Sequence, residues 1–303
     1  MSEKFSKGIK IAFITAIISG ISIFYNKLIV TKGIDSLVFN ILKNGGAAIL
    51  ISFFLLYKKS FTKFLRLNRK DWLKLVLIAA VGGSIPFLLY FEGLRSVSAV
   101  NAGLIHKTLF IWVLAMAIPV LGEKINLWQI IGYLLIIWSN LFLGGVQGLV
   151  FGRAELMILT ATLLWSLENI IAKIALKNIE SDIVAWARMF FGTLLLIGFA
   201  LTQNKLGLIF SIPLYQFIGI IGSILLLTLY VLTWYKSLSF APASTVTAIL
   251  VLSTPVTNIL TAVFINRLSL PYQHILGMFI TIAGISIISY LSKFTSKFKF
   301  TFR

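Results

Sequence analysis

Of the ionisable side chains inside or at the ends of long apolar runs, six could do chemistry: Lys43, Glu92, His106, Lys107, Glu168 and Arg188. On insertion scales a charge in the centre of a bilayer costs roughly 2.5 to 3.5 kcal/mol, so each demands a partner, a water-lined cavity or a route to the interface. These residue types suit binding and proton handling better than bond breaking. Cysteine is absent, and the only histidines, His106 and His274, belong to different runs. With no paired carboxylates on one run, acid–base catalysis has few candidates, and no carboxylate stands at ligand spacing from either histidine. No GxxxxGK[ST] loop occurs, and no polar segment is large enough for an ATPase fold, so neither a cofactor nor an on-board energy source is expected.

Lys107 lies about 10 residues into its run, roughly 15 Å at the helical rise and close to the middle of a core about 30 Å thick. It reads either as lining a solute path or as one half of an ion pair with Glu168 or Glu92. His106, about 100° round the helix from Lys107, is a proton relay or a hydrogen-bonded packing residue. Lys43 and Arg188 hold equivalent places in two different runs. They read as cations serving the two faces in turn, or as ties to helix-end carbonyls. Glu168, also near midplane depth, is a counter-ion to Lys107, a proton carrier, or both. Glu92 ends its run, where gating and plain solvation are equally open. Among the deep charges three cations face one carboxylate, an excess of two that favours a solute with a carboxylate or phosphate. Tyr90 and Trp165 are candidates for a box around a cation or for interfacial anchors.

The elements that must position these residues follow from composition. Of 303 residues 59% are hydrophobic and 12% charged, and mean hydropathy is +0.99, which excludes two soluble domains of that length. Ten apolar runs are read as membrane spans: Ile9–Ile29, Ser36–Tyr57, Trp72–Phe91, Val97–Val120, Leu127–Val146, Ala154–Leu176, Ile183–Leu201, Leu214–Tyr235, Pro242–Ile265 and Tyr272–Leu291. The first is bilayer-length with no small-residue cleavage site, and is read as a retained helix. Lys4, Lys7 and Lys10, the six cations from Lys58 to Lys70, and those of the basic tail from Lys293 to Arg303 fall on one side, whereas the opposite loops hold only Lys32, Arg95, Arg153, Lys205 and Arg267. The positive-inside rule then puts both termini in the cytoplasm, in a plasma membrane. The net charge of +18 is thereby spent on topology and anionic lipid rather than nucleic acid, for which no basic extramembrane fold exists.

Shifting the chain on itself by about 145 residues superposes Ser19-Gly20 and Lys27 on Trp165-Ser166 and Lys173, Lys43 on Arg188, Leu94 and Ala99 on Leu238 and Ala243, and Gln129 on Gln273. Each half, 1–147 and 148–303, has five spans, so the second must enter from the opposite face. The expected fold is an all-α integral membrane protein of ten transmembrane helices in two inverted five-helix repeats. Gly45-Gly46, Gly82-Gly83 and Gly219 with Gly222 mark close helix packing, and Pro86 and Pro255 mark kinks in spans 3 and 9.

Ala161-Thr-Leu-Leu-Trp165-Ser166 with Lys173, Tyr90-Phe-Glu-Gly-Leu94 leading to Ser98-Ala99, Leu121-Gly122-Glu123-Lys124 before Gln129, and Phe240-Ala-Pro242-Ala243 leading to Ser253-Thr-Pro255 resemble the drug/metabolite transporter superfamily, EamA type. The resemblance runs from about Ile9 to Leu291. It implies a central cavity walled by spans 1 to 4 and 6 to 9, an outlying pair of spans 5 and 10 that serves packing or homodimerisation, and solutes among amino acids, other metabolites, nucleotide sugars and drugs. The chain departs from the pattern at Ile111, which stands where Pro255 is repeated, at Asn266-Arg267, which replaces Gly122-Glu123, and at His106-Lys107. The leading expectation is a prokaryotic secondary transporter of a small, anion-bearing metabolite working by alternating access. An exporter of cationic or amphiphilic drugs through an aromatic cavity, a membrane-embedded enzyme or lipid-handling protein, and a channel are the competing classes.

Overall fold

A computed structural model describes residues 3–30, 33–94, 96–97, 99–144, 152–265, 272–290 and 299–300. Lys32, Arg95, Asn266-Arg267, Lys293, Lys297 and the expected junction at 147–148 lie outside them.

The apolar runs fold as helices because a backbone in lipid must satisfy its own amides. They are α1 (Glu3–Val30), α2 (Ser36–Tyr57), α3 (Arg69–Ile78), α4 (Ile85–Leu94), α5 (Ala99–Lys107), α6 (Leu109–Leu121), α7 (Leu127–Gly144), α8 (Arg153–Ala175), α9 (Ser181–Thr202), α10 (Leu214–Phe240), α11 (Ala243–Leu250), α12 (Ser253–Phe264) and α13 (Tyr272–Ser289). Among the described residues nine helical stretches are long and apolar enough to cross a membrane, and Leu127–Asn140 is a shorter apolar one. α1 begins well before the apolar run and carries Lys4, Lys7 and Lys10 as helical residues.

Three spans are not single α-helices. α3 and α4 are joined by a π-helical segment, Ala79–Ser84, so the disturbance foreseen at Pro86 sits just before it. The ninth span divides into α11 and α12 at Val251-Leu252, two residues before Ser253 and four before Pro255. The fourth divides into α5 and α6 at Thr108 without any proline nearby; the Thr108 hydroxyl donates to the Ile105 carbonyl at 2.6 Å, a back-bond that competes with the helix. Thr108 and Leu252 are equivalent under the repeat. The break belongs to the architecture, and proline marks only one of its two copies.

Helices pack across the halves in matched pairs: α2 on α9, α7 on α13, and α4 on α8 as α10 is on α1. Polar groups gather inside, with Asn44, Thr162, Ser166, Glu168, Asn169 and Ser237 all buried. Large apolar side chains face outward on every span, Phe53, Leu134 and Phe279 among them, as a lipid-facing surface requires. Between α7 and α13 the Ser139 hydroxyl donates to the Gly277 carbonyl at 2.7 Å and meets the Thr281 hydroxyl.

Because the chain crosses span by span, α1 begins on one face, called here the N-terminal face, and α2, α5, α8, α10 and α13 begin on the other, the far face.

Candidate functional site

The centre of the bundle is organised by one backbone carbonyl. In an α-helix the amide four residues on would bond the Gly82 carbonyl, but residue 86 is proline and has no N–H. Two side chains of the second half take the freed acceptor: Arg188 Nη2 from α9 and Trp165 Nε1 from α8, each donating at 3.0 Å. They reach it because position 82 has no side chain. A Cβ there would lie 2.3 Å from Glu168 Cγ and 3.2 Å from Arg188 Nε, and one at Gly83 would lie 2.6 Å from the Arg188 carbonyl. Asn44 of α2 donates to the next carbonyl, Gly83, at 3.3 Å.

Around this node stand the deep charges. Glu168 is 1% exposed and accepts a hydrogen bond from the Tyr235 hydroxyl at 2.5 Å. Arg188 is within electrostatic range of Glu168, Tyr230 and Tyr235, and its Nε is buried without an acceptor. Lys43, 7% exposed, feels the Arg188 charge; its ammonium meets the faces of Phe39 and Phe87, 4.9 and 5.8 Å from the ring centroids. The two repeat-related cations therefore lie within electrostatic range of each other, and Arg188 is the one coupled to the carboxylate. Of the roles open to Glu168, counter-ion to Lys107 or proton carrier, the surroundings show a carboxyl bonded by Tyr235 and coupled to Arg188.

Lys107 ends α5 at the Thr108 break, where the last carbonyls of the helix carry partial negative charge and compensate a cation. This is a better home for a lysine at midplane depth than an unbroken helix. His106, beside it, packs edge-on against Trp165 (4.8 Å between ring centroids) and Tyr90 (5.6 Å), and its Nδ1 has no partner. Tyr90 and Trp165 are 5.6 Å apart and Phe87 is 5.3 Å from Trp165. Trp165, at 8% exposed, is an interior hydrogen-bond donor and not an interfacial anchor. Through it the aromatic group adjoins the charged one.

A cavity of about 970 Å³ opens on the far face between α2, α4, α8 and α9, lined by Asn40, Phe87, Leu88, Met157, Leu196 and Phe199. Asp35, Glu92 and Lys205 stand at its rim, which places Glu92 at the mouth. Lys205 Nζ meets Asp35 at 2.8 Å. The inner end reaches Asn40 and Phe87, the residues next to Lys43. On the N-terminal face Lys58 and Lys63 bind Asp182 and Glu180 at 2.8 and 2.7 Å. Lys173, in the last turn of α8, reaches the end of α10. It donates to the Leu238 and Ala241 carbonyls at 2.5 and 2.7 Å.

Sequence reasoning had passed over Gly82 as a ligand, Asn44 and Tyr235. A signal for the first existed: Gly82-Gly83 with proline four residues on announces an unpaired carbonyl with room around it.

Two matched sets of spans around a buried polar centre with a cavity on one side define a multi-pass α-helical membrane carrier. The chain matches the EamA-like transporter family over residues 6–144 and again over 152–290, and it belongs to that family, within the drug/metabolite transporter superfamily. Over 114 residues, 36% of the chain, it is 28% identical to a protein of Methanothermobacter thermautotrophicus described as an uncharacterized transporter, and the match spans 33% of that relative's length. A solved crystal structure superposes with a TM-score of 0.76 at 13% identity over 96% of this chain and 99% of that one, a likeness of fold.

Proposed function

We propose that this transporter moves a small organic solute bearing a carboxylate or phosphate across the plasma membrane by alternating access between its two repeats, with both termini cytoplasmic. The observation that carries the reading is the pair Lys43 and Arg188, both buried and within electrostatic range of each other, with Glu168 as the carboxylate beside Arg188. Two cations against one carboxylate leave a single positive charge, and a solute anion neutralises it where unpaired buried charge is most costly. Lys43 Nζ has ring faces rather than acceptors around it, so a carboxylate there gains a charge-assisted bond without breaking one. Arg188 Nε offers a further donor. The rings of Phe87, Tyr90 and Trp165 beside the charges suit an apolar or planar body on the solute, and Lys107 with His106 stands as a second polar group behind them.

Binding of acid and amide forms of candidate metabolites to the purified protein tests this. The acid form is expected to bind at least about tenfold more tightly, a difference of ~1.4 kcal/mol. Lys43→Met, which removes a cation with no hydrogen bond to lose, should abolish that preference while the protein stays monodisperse. Equal affinity for both forms, or preference for a quaternary amine, transfers the weight to the aromatic group and to the export of cationic solutes.

A further inference from the structure

A second cavity, of about 540 Å³, opens on the N-terminal face, where the end of α2, the turn between α8 and α9 and the end of α10 meet. Its volume is that of a pocket for a small ligand. Its walls are basic: Lys58 and Lys63 follow α2, Lys177 follows α8, and Lys236 stands near the end of α10. Two carboxylates line it as well, and each is taken by one lysine, Asp182 by Lys58 at 2.8 Å and Glu180 by Lys63 at 2.7 Å. Lys177 and Lys236 are left over. All nine Asp and Glu residues of the chain are among the described residues, and none forms an ion pair with either lysine. The Lys236 ammonium has the face of Phe240 at 5.3 Å and shares that ring with Lys7 at 5.7 Å. Four ammoniums against two carboxylates leave an excess of two positive charges in one concave place, which favours an anion between them.

Uncharged donors in the same wall add to this. Ser60 lines the cavity at 3% exposed, yet its hydroxyl spends no hydrogen bond on any described residue. A buried hydroxyl is costly to leave unpaired, and an acceptor inside the cavity removes that cost. α9, 22 residues long, starts at the cavity with no side chain capping its first amides, which adds N–H donors and the positive end of a helix. Under the repeat Glu180-Ser181 fall on Asp35-Ser36, and Lys236 falls on Glu92, all three at the large cavity. The basic pocket therefore holds, on the N-terminal face, the place that the cavity mouth holds on the far face.

We propose that this pocket binds a phosphoryl group, of a free phosphate or of a lipid headgroup, between Lys177 and Lys236 with the Ser60 hydroxyl as a further donor. Phosphoryl oxygens accept several hydrogen bonds at once and carry the charge that two unpaired ammoniums call for. Ser60 belongs to the first repeat and both lysines to the second, so a bound phosphoryl group bridges the halves at this face. The site is separate from the buried pair Lys43 and Arg188, and it does not depend on which solute that pair carries.

The chain has no cysteine, so a single one reports cleanly. Asn178 lines the pocket, is exposed, and makes no side-chain hydrogen bond with a described residue. In Asn178→Cys protein purified in phospholipid-free detergent, inorganic phosphate is titrated against a sulfonate-bearing thiol reagent, with chloride holding the ionic strength constant. Phosphate is expected to slow the labelling along a saturating curve. Adding Lys177→Gln and Lys236→Gln should raise the half-saturating phosphate at least about tenfold, the equivalent of ~1.4 kcal/mol, while the melting temperature holds because neither lysine is in an ion pair. A second arm places the protein in nanodiscs of phosphatidylglycerol or of phosphatidylcholine without added phosphate. Slower labelling in phosphatidylglycerol that disappears in the double-lysine variant supports the site with the lipid headgroup as its occupant; slowing by added phosphate alone supports it with a free phosphate. No slowing in either arm overturns the proposal, and so does slowing that survives the double-lysine variant unchanged. Should the double variant not fold, each single variant must weaken the phosphate effect, and an unchanged curve in both overturns the proposal as well.

Discussion

Single residues in this protein are explained by what neutralises them. Trp165 and Arg188 spend donors on Gly82, and Glu168 has Tyr235 and Arg188, so depth in the membrane alone did not say which group belonged with which. Outside the spans, Asp35 does two things at once. Its carboxyl accepts from the Leu37 and Val38 amides at 2.9 and 3.3 Å as the cap of α2, and it binds Lys205. Burial pushes the carboxyl up, but the hydrogen bond from Lys205 and the two amides outweigh it and hold the group below its ordinary value of 3.8. A carboxyl depressed in the folded state stabilises the protein above its unfolded pKa and stops doing so as pH falls through the folded one. Thermal stability is therefore expected to drop below about pH 4, and Asp35→Ala should cost about 1 kcal/mol of stability at neutral pH for a lost cap, seen as a lower melting temperature, with a difference from the parent that shrinks in acid. A difference independent of pH between 7 and 3 would show that the carboxylate charge is not what matters.

At the scale of elements, the decisive piece is the π-helical segment Ala79–Ser84 with Pro86 behind it. Span 8, its counterpart in the second repeat, is the uninterrupted helix α10 and supplies Tyr230 and Tyr235 instead. The repeat has thus diverged into a half that contributes bare backbone and a half that contributes side chains to it. Gly82→Ala puts a methyl into Glu168 and Arg188, and is expected to cost about 1–3 kcal/mol as an overpacked core substitution. Pro86→Ala acts differently. It restores an amide that competes with Arg188 and Trp165 for the Gly82 carbonyl, so transport should fall while thermal stability holds or rises. If Pro86→Ala transports as the parent does, the carbonyl is not the anchor of the site.

For the whole molecule, the fold has a sidedness that the charge bias converts to an orientation. A cysteine at position 63 should be unreachable by impermeant reagents applied outside intact cells, and one at position 205 should be labelled readily. The reverse pattern would invert the molecule in the membrane, and would place the cavity mouth on the cytoplasmic side without altering the geometry of the site.

Span number, the repeat and the residues that bear charge in lipid were legible in the chain, because hydrophobic thickness and the cost of buried charge act on each segment separately. Lys43 and Arg188 were recognisable as mates for the same reason: one offset relates them. That they come within range of each other was not, nor was the coupling of Glu168 to Arg188 and Tyr235, because both depend on how α2, α8, α9 and α10 close on one another. The break at Thr108 shows the same limit from another side. With no proline to mark it, a local hydroxyl back-bond and the symmetry of packing against the other half set its place, and no pattern in the apolar run carries that information. Depth is a property of one helix, but partnership is decided by the distance between helices, which only the packed structure contains.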